Sequence, residues 1–177
     1  MCCTKQQIET AGGATFQGAP LTLVGTLVKP GVPAPDFTVL DNGLAPVTSE
    51  TFKGKIAVFI SVPSLDTPVC DLEVKKFNDA AAKLGADVKL AVISADLPFA
   101  QARWCGSAGV KRIQSLSDHR DTAFALAYGL LIKELRLLAR AVIVVGRDGK
   151  IAYVELVKEV TQEPNYQAAL DAVARLV

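Results

Sequence analysis

Ile56-Ala57-Val58-Phe59-Ile60-Ser61 is an unbroken apolar run of strand length, entered from charged Lys55 and left through a polar turn. Further along, Val88-Lys89-Leu90-Ala91-Val92-Ile93-Ser94 has the same character. Between the two, Val74, Phe77, Ala81 and Leu84 recur at spacings of 3, 4 and 3, which predicts an amphipathic helix over residues 70–84. Strand, helix and strand within about 40 residues make a βαβ unit, and strands this apolar belong inside a sheet covered by helices on both faces.

Outward from this unit, helices are expected at 99–108, 122–128 and 165–176, and a strand just before Ser117-Asp118-His119-Arg120. Ala141-Val142-Ile143-Val144-Val145 and Ile151-Ala152-Tyr153-Val154-Glu155-Leu156 flank an Asp148-Gly149 turn signal, so they should pair as an antiparallel hairpin. Toward the N-terminus, Thr15-Phe16-Gln17 and Leu21-Thr22-Leu23-Val24 around Gly18-Ala19-Pro20 predict another hairpin. Lys29-Pro30-Gly31-Val32-Pro33-Ala34-Pro35 reads as an extended connector, because proline disfavours helix at itself and at its predecessor. The expectation is an irregular leader over 1–14 and one α/β domain over 15–177: a mixed central sheet flanked by helices, with an N-terminal β-hairpin.

Composition narrows the function. The 177 residues carry 19 Lys plus Arg against 18 Asp plus Glu, a formal net charge of +1, so a protein that binds nucleic acid by neutralising phosphates is not expected. Half the residues are apolar, yet the apolar runs are too short for a membrane span of about 20 residues. Met1-Cys2-Cys3-Thr4-Lys5-Gln6-Gln7 lacks the apolar stretch of a secretory signal, which predicts a cytoplasmic protein. There, four cysteines are free, catalytic or redox-switching rather than structural staples. His119 is the only histidine; it leaves room for a Ser-His-Asp arrangement but not for a two-His metal site. With no G-x-G-x-x-G, no C-x-x-C-H and no metal-spaced Cys/His set, no cofactor or metal is expected. His119 is read as a surface or capping residue, Trp104 as a packing anchor, and Cys2 and Cys3 receive no role.

Pro63-Ser64-Leu65-Asp66-Thr67-Pro68-Val69-Cys70 leaves the apolar strand, turns, and enters the 70–84 helix, which puts Cys70 in its first turn. Unpaired backbone N–H groups and the positive end of the helix dipole there favour a thiolate over a thiol. Asp66 or Thr67 supplies an oxygen that can cap the helix or hydrogen-bond the sulfur. A cysteine at a helix start is in itself commonly just a small buried residue.

The string as a whole resembles the Pro-x-x-x-Thr-x-x-Cys signature of the peroxiredoxins. Ser94-Ala95-Asp96-Leu97-Pro98-Phe99-Ala100-Gln101-Ala102-Arg103-Trp104-Cys105 is similar to the second-cysteine segment of their thiol peroxidase subfamily. The likeness extends to Phe16-Gln17-Gly18, Ala139-Arg140-Ala141-Val142 and Glu163-Pro164-Asn165-Tyr166, and spans about residues 15–177. It implies a thioredoxin-like fold, usually as a homodimer, and an atypical two-cysteine peroxidase. Cys70 would be its peroxidatic and Cys105 its resolving cysteine within the same chain. Thr67 and Arg140 would hold the peroxide and the sulfur, Pro63 would shield the pocket from water, and thioredoxin would be the reductant of a hydroperoxide-oxidised enzyme.

The chemistry explains why such groups are needed. A thiolate attacks one oxygen of the O–O bond, leaving a sulfenic acid and expelling hydroxide or alkoxide. An ordinary thiol of pKa about 8.5 is roughly 3% ionised at pH 7, so full ionisation gains at most about 30-fold, or about 2 kcal/mol. Donors aimed at the developing negative oxygen must supply much of the rest. An arginine suits that task, being always charged with several donors in a fixed plane. Disulfide formation then needs Cα atoms about 4.4–6.8 Å apart, so local unwinding around Cys70 and rearrangement of the 99–108 helix are expected. The residues alone leave open a redox sensor or holdase-type binding protein that uses the same sulfur pair without sustained turnover; the missing C-x-x-C argues against a disulfide oxidoreductase.

Overall fold

The two apolar runs become adjacent central strands of one sheet, paired in parallel from Ile56↔Val88 to Ser61↔Ile93. The computed structural model describes residues 7–177. Cys2, Cys3 and the first residues of the expected leader lie outside the described residues. In chain order the elements are β1 (Glu9–Phe16), β2 (Ala19–Val24), β3 (Thr38–Leu40), β4 (Pro46–Thr48), a 3₁₀ turn (Ser49–Phe52), β5 (Ile56–Ser61) and α1 (Pro68–Ala81). There follow β6 (Val88–Ser94), α2 (Pro98–Ala108), β7 (Ile113–Ser117), α3 (Ala123–Tyr128), β8 (Leu131–Ile132), β9 (Ala141–Val145), β10 (Ile151–Leu156) and α4 (Tyr166–Ala174). The main sheet runs β10-β9-β5-β6-β7-β3-β4, and a small sheet runs β1-β2-β8. Among the described residues no helix is long and apolar enough to cross a membrane.

Alternation along the central strands divides the core in two. Ala57 and Phe59 of β5, with Ala91 and Ile93 of β6, face a layer built from α3, the small sheet and the aromatic group Phe37, Phe52, Phe124 and Tyr128. Ile56, Val58 and Ile60, with Leu90 and Val92, face α1, α2 and α4 through Val74, Phe77, Trp104, Ala169 and Val173. This is the two-sided burial that uniformly apolar strands require.

Three expectations are corrected. The leader does not extend to residue 14: Glu9–Phe16 is a strand, paired with β2 across a register shift between Thr10 and Ala14. Gly12 stands at φ +67 inside that shift, so the bulge breaks the alternation that would have revealed the strand. The hairpin turn is also shorter than expected. Phe16 pairs directly with Ala19, and Gln17 and Gly18, at φ 50 and 81, form a two-residue turn with both central φ positive. The 70–84 helix begins at Pro68 and ends at Ala81, after which Ala82, Lys83 and Leu84 donate to carbonyls three residues back in a tightening last turn.

One close approach fixes how the hairpin meets α3. Gly129, at φ +71, passes the backbone where a Cβ would fall 2.3 Å from the Leu27 nitrogen. No flexible side chain can yield there. Gly129→Ala is therefore expected to cost at least about 2 kcal/mol and to lower the midpoint of thermal unfolding by several degrees or more. A denaturation curve indistinguishable from wild type would contradict that assignment of strain.

Candidate active site

The register of the sheet assembles the site. Strand β9 runs antiparallel to β5 with Ser61 opposite Ala141, so the residue before β9, Arg140, lies beside the segment that leaves β5 for α1. The Ser61 hydroxyl fastens this end by donating to the Ala139 carbonyl at 2.8 Å. Pro63 is buried in that segment. Pro68 takes the first helical position, where its missing N–H costs nothing and its φ is already helical. Asp71 donates the first bond back into the turn, to the Thr67 carbonyl at 3.0 Å. The amides of Val69 and Cys70 precede it and have no intrahelical carbonyl to bind.

Cys70 is buried at 1% exposure, with a free thiol group. Thr67 occupies the N-cap position with extended backbone but makes no side-chain cap. Its Oγ1 lies 2.7 Å from the Cys70 Sγ and 3.0 Å from the Ser64 carbonyl oxygen. A hydroxyl has one proton for these two acceptors. Beside a thiolate it donates to sulfur; beside a thiol it accepts S–H and donates to the carbonyl. Thr67 thus serves both charge states without moving. Asp66, the other cap candidate, is exposed and faces Arg103 at 3.6 Å instead.

Arg140 is 1% exposed and is the largest of the fully buried side chains. Its Nη2 donates to the Cys70 Sγ at 3.3 Å and to the Val160 carbonyl at 2.8 Å, Nε donates to the same carbonyl at 3.1 Å, and Nη1 donates to Glu73. All three nitrogens are engaged, so the plane of the guanidinium is fixed with one edge toward the sulfur. Burial opposes its charge, but Glu73 and Cys70 more than offset this and raise its pKa, leaving it firmly cationic.

Glu73 was absent from the expected site. It follows Cys70 by three residues, hence lies on the same helical face, and is completely buried. Its Oε1 has no hydrogen-bond partner among the described residues. Burial pushes its carboxyl up to about 7, although Arg140 pulls the other way. Glu73 and the Cys70 sulfur thus contact the same guanidinium, through Nη1 and Nη2 respectively. An acid inside an otherwise apolar helix stripe with Val74 and Phe77 was the available sequence signal. Val160, which acts through its backbone carbonyl, leaves no such signal.

Cys105 lies on α2, half-buried and free, and its thiol donates to the Ser115 hydroxyl at 3.3 Å rather than to Cys70. The structure thus brings Thr67, Cys70 and Arg140 together and leaves Cys105 on the neighbouring helix, packed at the edge of the same core cluster. Trp104 is buried, as expected of an anchor, and its Nε1 also donates to Asp71 in the first turn of α1 at 3.1 Å. His119 bonds the Ser117 hydroxyl through Nδ1 at 2.9 Å and does not contact the sulfur's partners. A separate cavity of about 290 Å³ lies among Phe37, Phe52, Phe59 and Tyr128. Ala57 and Val145 place it at the opposite end of β5 and β9 from Cys70, and no cysteine is among its lining residues.

Three comparisons fit this geometry. Residues 29–170 match the Redoxin family model. The chain is 53% identical over 163 residues to the thiol peroxidase of Bacillus subtilis, covering 92% of this chain and 97% of that protein. It is 52% identical over 158 residues to the thiol peroxidase of Halalkalibacterium halodurans, covering 89% and 95%. Among solved structures, a peroxiredoxin-like protein from Aquifex aeolicus superposes with a TM-score of 0.88 at 42% identity, covering 94% of this chain and 98% of that one.

Proposed function

This chain belongs to the redoxin family, in its thiol peroxidase branch and with the thioredoxin-like fold of peroxiredoxins, and from that premise we propose a complete catalytic cycle for it. It is a peroxide-reducing enzyme of the peroxiredoxin type. The Cys70 thiolate attacks one oxygen of a hydroperoxide and becomes the sulfenic acid, while the other oxygen leaves as hydroxide or alkoxide and takes up a proton to give water or an alcohol. Arg140 lowers the barrier by presenting a fixed cation to the sulfur and to the charge developing on the leaving oxygen. The Thr67 hydroxyl orients sulfur and peroxide, and buried Pro63 keeps bulk water from the pocket.

Cys105 then attacks the Cys70 sulfenic acid, forming the S–S bond and releasing water. Because the Cys105 thiol is turned toward Ser115, the first turn of α1 and the α2 segment must both rearrange for the sulfurs to meet. Thioredoxin, a dithiol donor, reduces the disulfide and is itself oxidised. We place the cycle in the cytoplasm, where thiols are kept reduced, and in a homodimer, to which the exposed Leu72, Leu97 and Phe99 beside the site offer apolar surface.

The observation that carries this reading is the buried Cys70 sulfur held at once by the Thr67 hydroxyl and the Arg140 guanidinium. Steady-state peroxide consumption coupled to thioredoxin, its reductase and NADPH is the test. Many turnovers per enzyme are expected, with a Cys70–Cys105 linked peptide in mass spectra after one equivalent of peroxide. Consumption that stops after one equivalent despite the reducing system would instead identify a redox switch.

A further inference from the structure

The turn before Cys70 is tied to the segment that leads into the Cys105 helix, and one side chain makes most of the tie. Asp96 lies between β6 and α2. Its Oδ1 accepts from the Ser64 hydroxyl at 2.7 Å, and its Oδ2 accepts from the Leu65 backbone N–H at 2.8 Å and from the Ser94 hydroxyl at 2.7 Å. Ser94 is braced in turn by Gln101 of α2, whose amide donates to it at 2.9 Å and to the Leu116 carbonyl at 2.9 Å. The Ser117 hydroxyl donates to the Asp96 carbonyl. The carboxylate is therefore fixed on the β6–α2 side and grips residues 64 and 65 on the other. From there the link to the sulfur is short, since the Ser64 carbonyl accepts from both the Thr67 N–H and, at 3.0 Å, from its hydroxyl.

Two other contacts join the two cysteine segments. Arg103 and Asp66 are 3.6 Å apart and mostly exposed, a geometry worth little. Trp104 donates a single bond to Asp71. Asp96 makes two charge-assisted bonds to the loop from a half-buried position, so it carries the largest share of the restraint.

We propose that Asp96 is a positioning residue that latches the Cys70 loop in its peroxide-reactive form and sets the rate at which the sulfenic acid is handed to Cys105. The inference rests on the Cys70–Cys105 disulfide proposed above. With the latch closed, Cys70 keeps its contacts with Thr67 and Arg140 and reacts with peroxide. The latch must release before the Cys105 sulfur can attack Cys70–SOH, form the disulfide and expel water. Asp96 touches neither substrate nor sulfur; it acts through Ser64 and Leu65. A tighter latch lengthens the life of the sulfenic acid and exposes it to a second peroxide, which yields the sulfinic acid.

The test uses the full chain, hydrogen peroxide and stopped-flow emission of Trp104, which adjoins the first turn of α1 and so follows both oxidation and opening. Ser64→Ala removes one bond of the latch and Asp96→Asn weakens all of them while keeping the shape. Both variants should leave the peroxide-dependent first phase within about twofold of wild type. The peroxide-independent second phase should accelerate about tenfold or more, the effect of one charge-assisted bond. Mass spectra should show a correspondingly smaller sulfinic fraction at excess peroxide. An unchanged or slower second phase would overturn the proposal, as would a first phase slowed more than tenfold, because Asp96 would then support the peroxide pocket instead. If wild type itself yields no Cys70–Cys105 linked peptide, the disulfide reading fails and the latch falls with it, an outcome distinct from a wild-type disulfide whose rate ignores both substitutions.

Discussion

Cys70→Ser is expected to lower peroxide consumption by at least about 10³-fold, because a serine hydroxyl is not ionised near neutrality and no other nucleophile faces the Arg140 guanidinium. Cys105→Ser should behave differently. Cys105 is not among the hydrogen-bond partners of Cys70, so the first oxidation should proceed at nearly the wild-type rate and consume one equivalent. Turnover with thioredoxin should then be lost, and further peroxide should carry Cys70 to its sulfinic acid, since no other thiol among the described residues is left to intercept the sulfenic acid. Intact-mass spectrometry separates these states by the oxygen atoms retained. If Cys70→Ser kept the first oxidation and Cys105→Ser lost it, the two assignments would be exchanged. Retained turnover in Cys105→Ser would mean that a thiol other than Cys105 resolves the sulfenic acid.

Which parts of this site could be read from the chain depends on whether the information resides in a side chain's period or in the meeting of distant backbones. Strands β5, β6, β9 and β10 were legible because each is a run of apolar residues bounded by turn signals, and their observed bounds are those expected. The helix under Cys70 was legible from the stripe of Val74, Phe77 and Ala81. Strands β3, β4 and β8 have two or three residues each and cannot display a period. The bulge at Gly12 erased the period of β1. The position of Arg140 next to the sulfur is a different case. Nothing local to Arg140 announces it, because it follows from Ala141 pairing with Ser61 across a strand order that skips three strands in sequence. The resemblance supplied that residue; the register supplies its reason. Glu73 could have been seen as a lone acid on an apolar face, whereas the Val160 carbonyl and the Leu65 N–H have no letter in the sequence at all.

Arg140→Lys should retain a positive charge and still lose about 10²–10³-fold in the rate of peroxide reduction. The guanidinium spans three partners at once, Cys70, Glu73 and the Val160 carbonyl, with a rigid fork; an ammonium offers a mobile point charge that cannot satisfy all of them in one plane. Rapid-mixing measurement of the first oxidation tests this, and a rate within threefold of wild type would show that charge alone suffices. Arg140→Met removes the charge as well and adds a penalty in stability. Breaking one side of a buried ion pair costs about 3–5 kcal/mol, and here it strands Glu73, already lacking a partner at Oε1 among the described residues. The sign of the pH dependence follows from Glu73. Its folded-state pKa, raised by burial to about 7, exceeds its ordinary value of 4.5, so the folded protein binds that proton more tightly than the unfolded chain. Stability from this proton is fully present below about pH 4.5 and is lost as pH rises through about 7. Without Arg140 the counteracting pull is gone and the window of loss extends upward. Thermal unfolding of Arg140→Met should therefore approach wild type near pH 5 and fall progressively below it toward pH 8, and Glu73→Gln in the same background should flatten that slope. A deficit that is constant across this range would place the cost of the substitution in lost packing rather than in an uncompensated carboxylate.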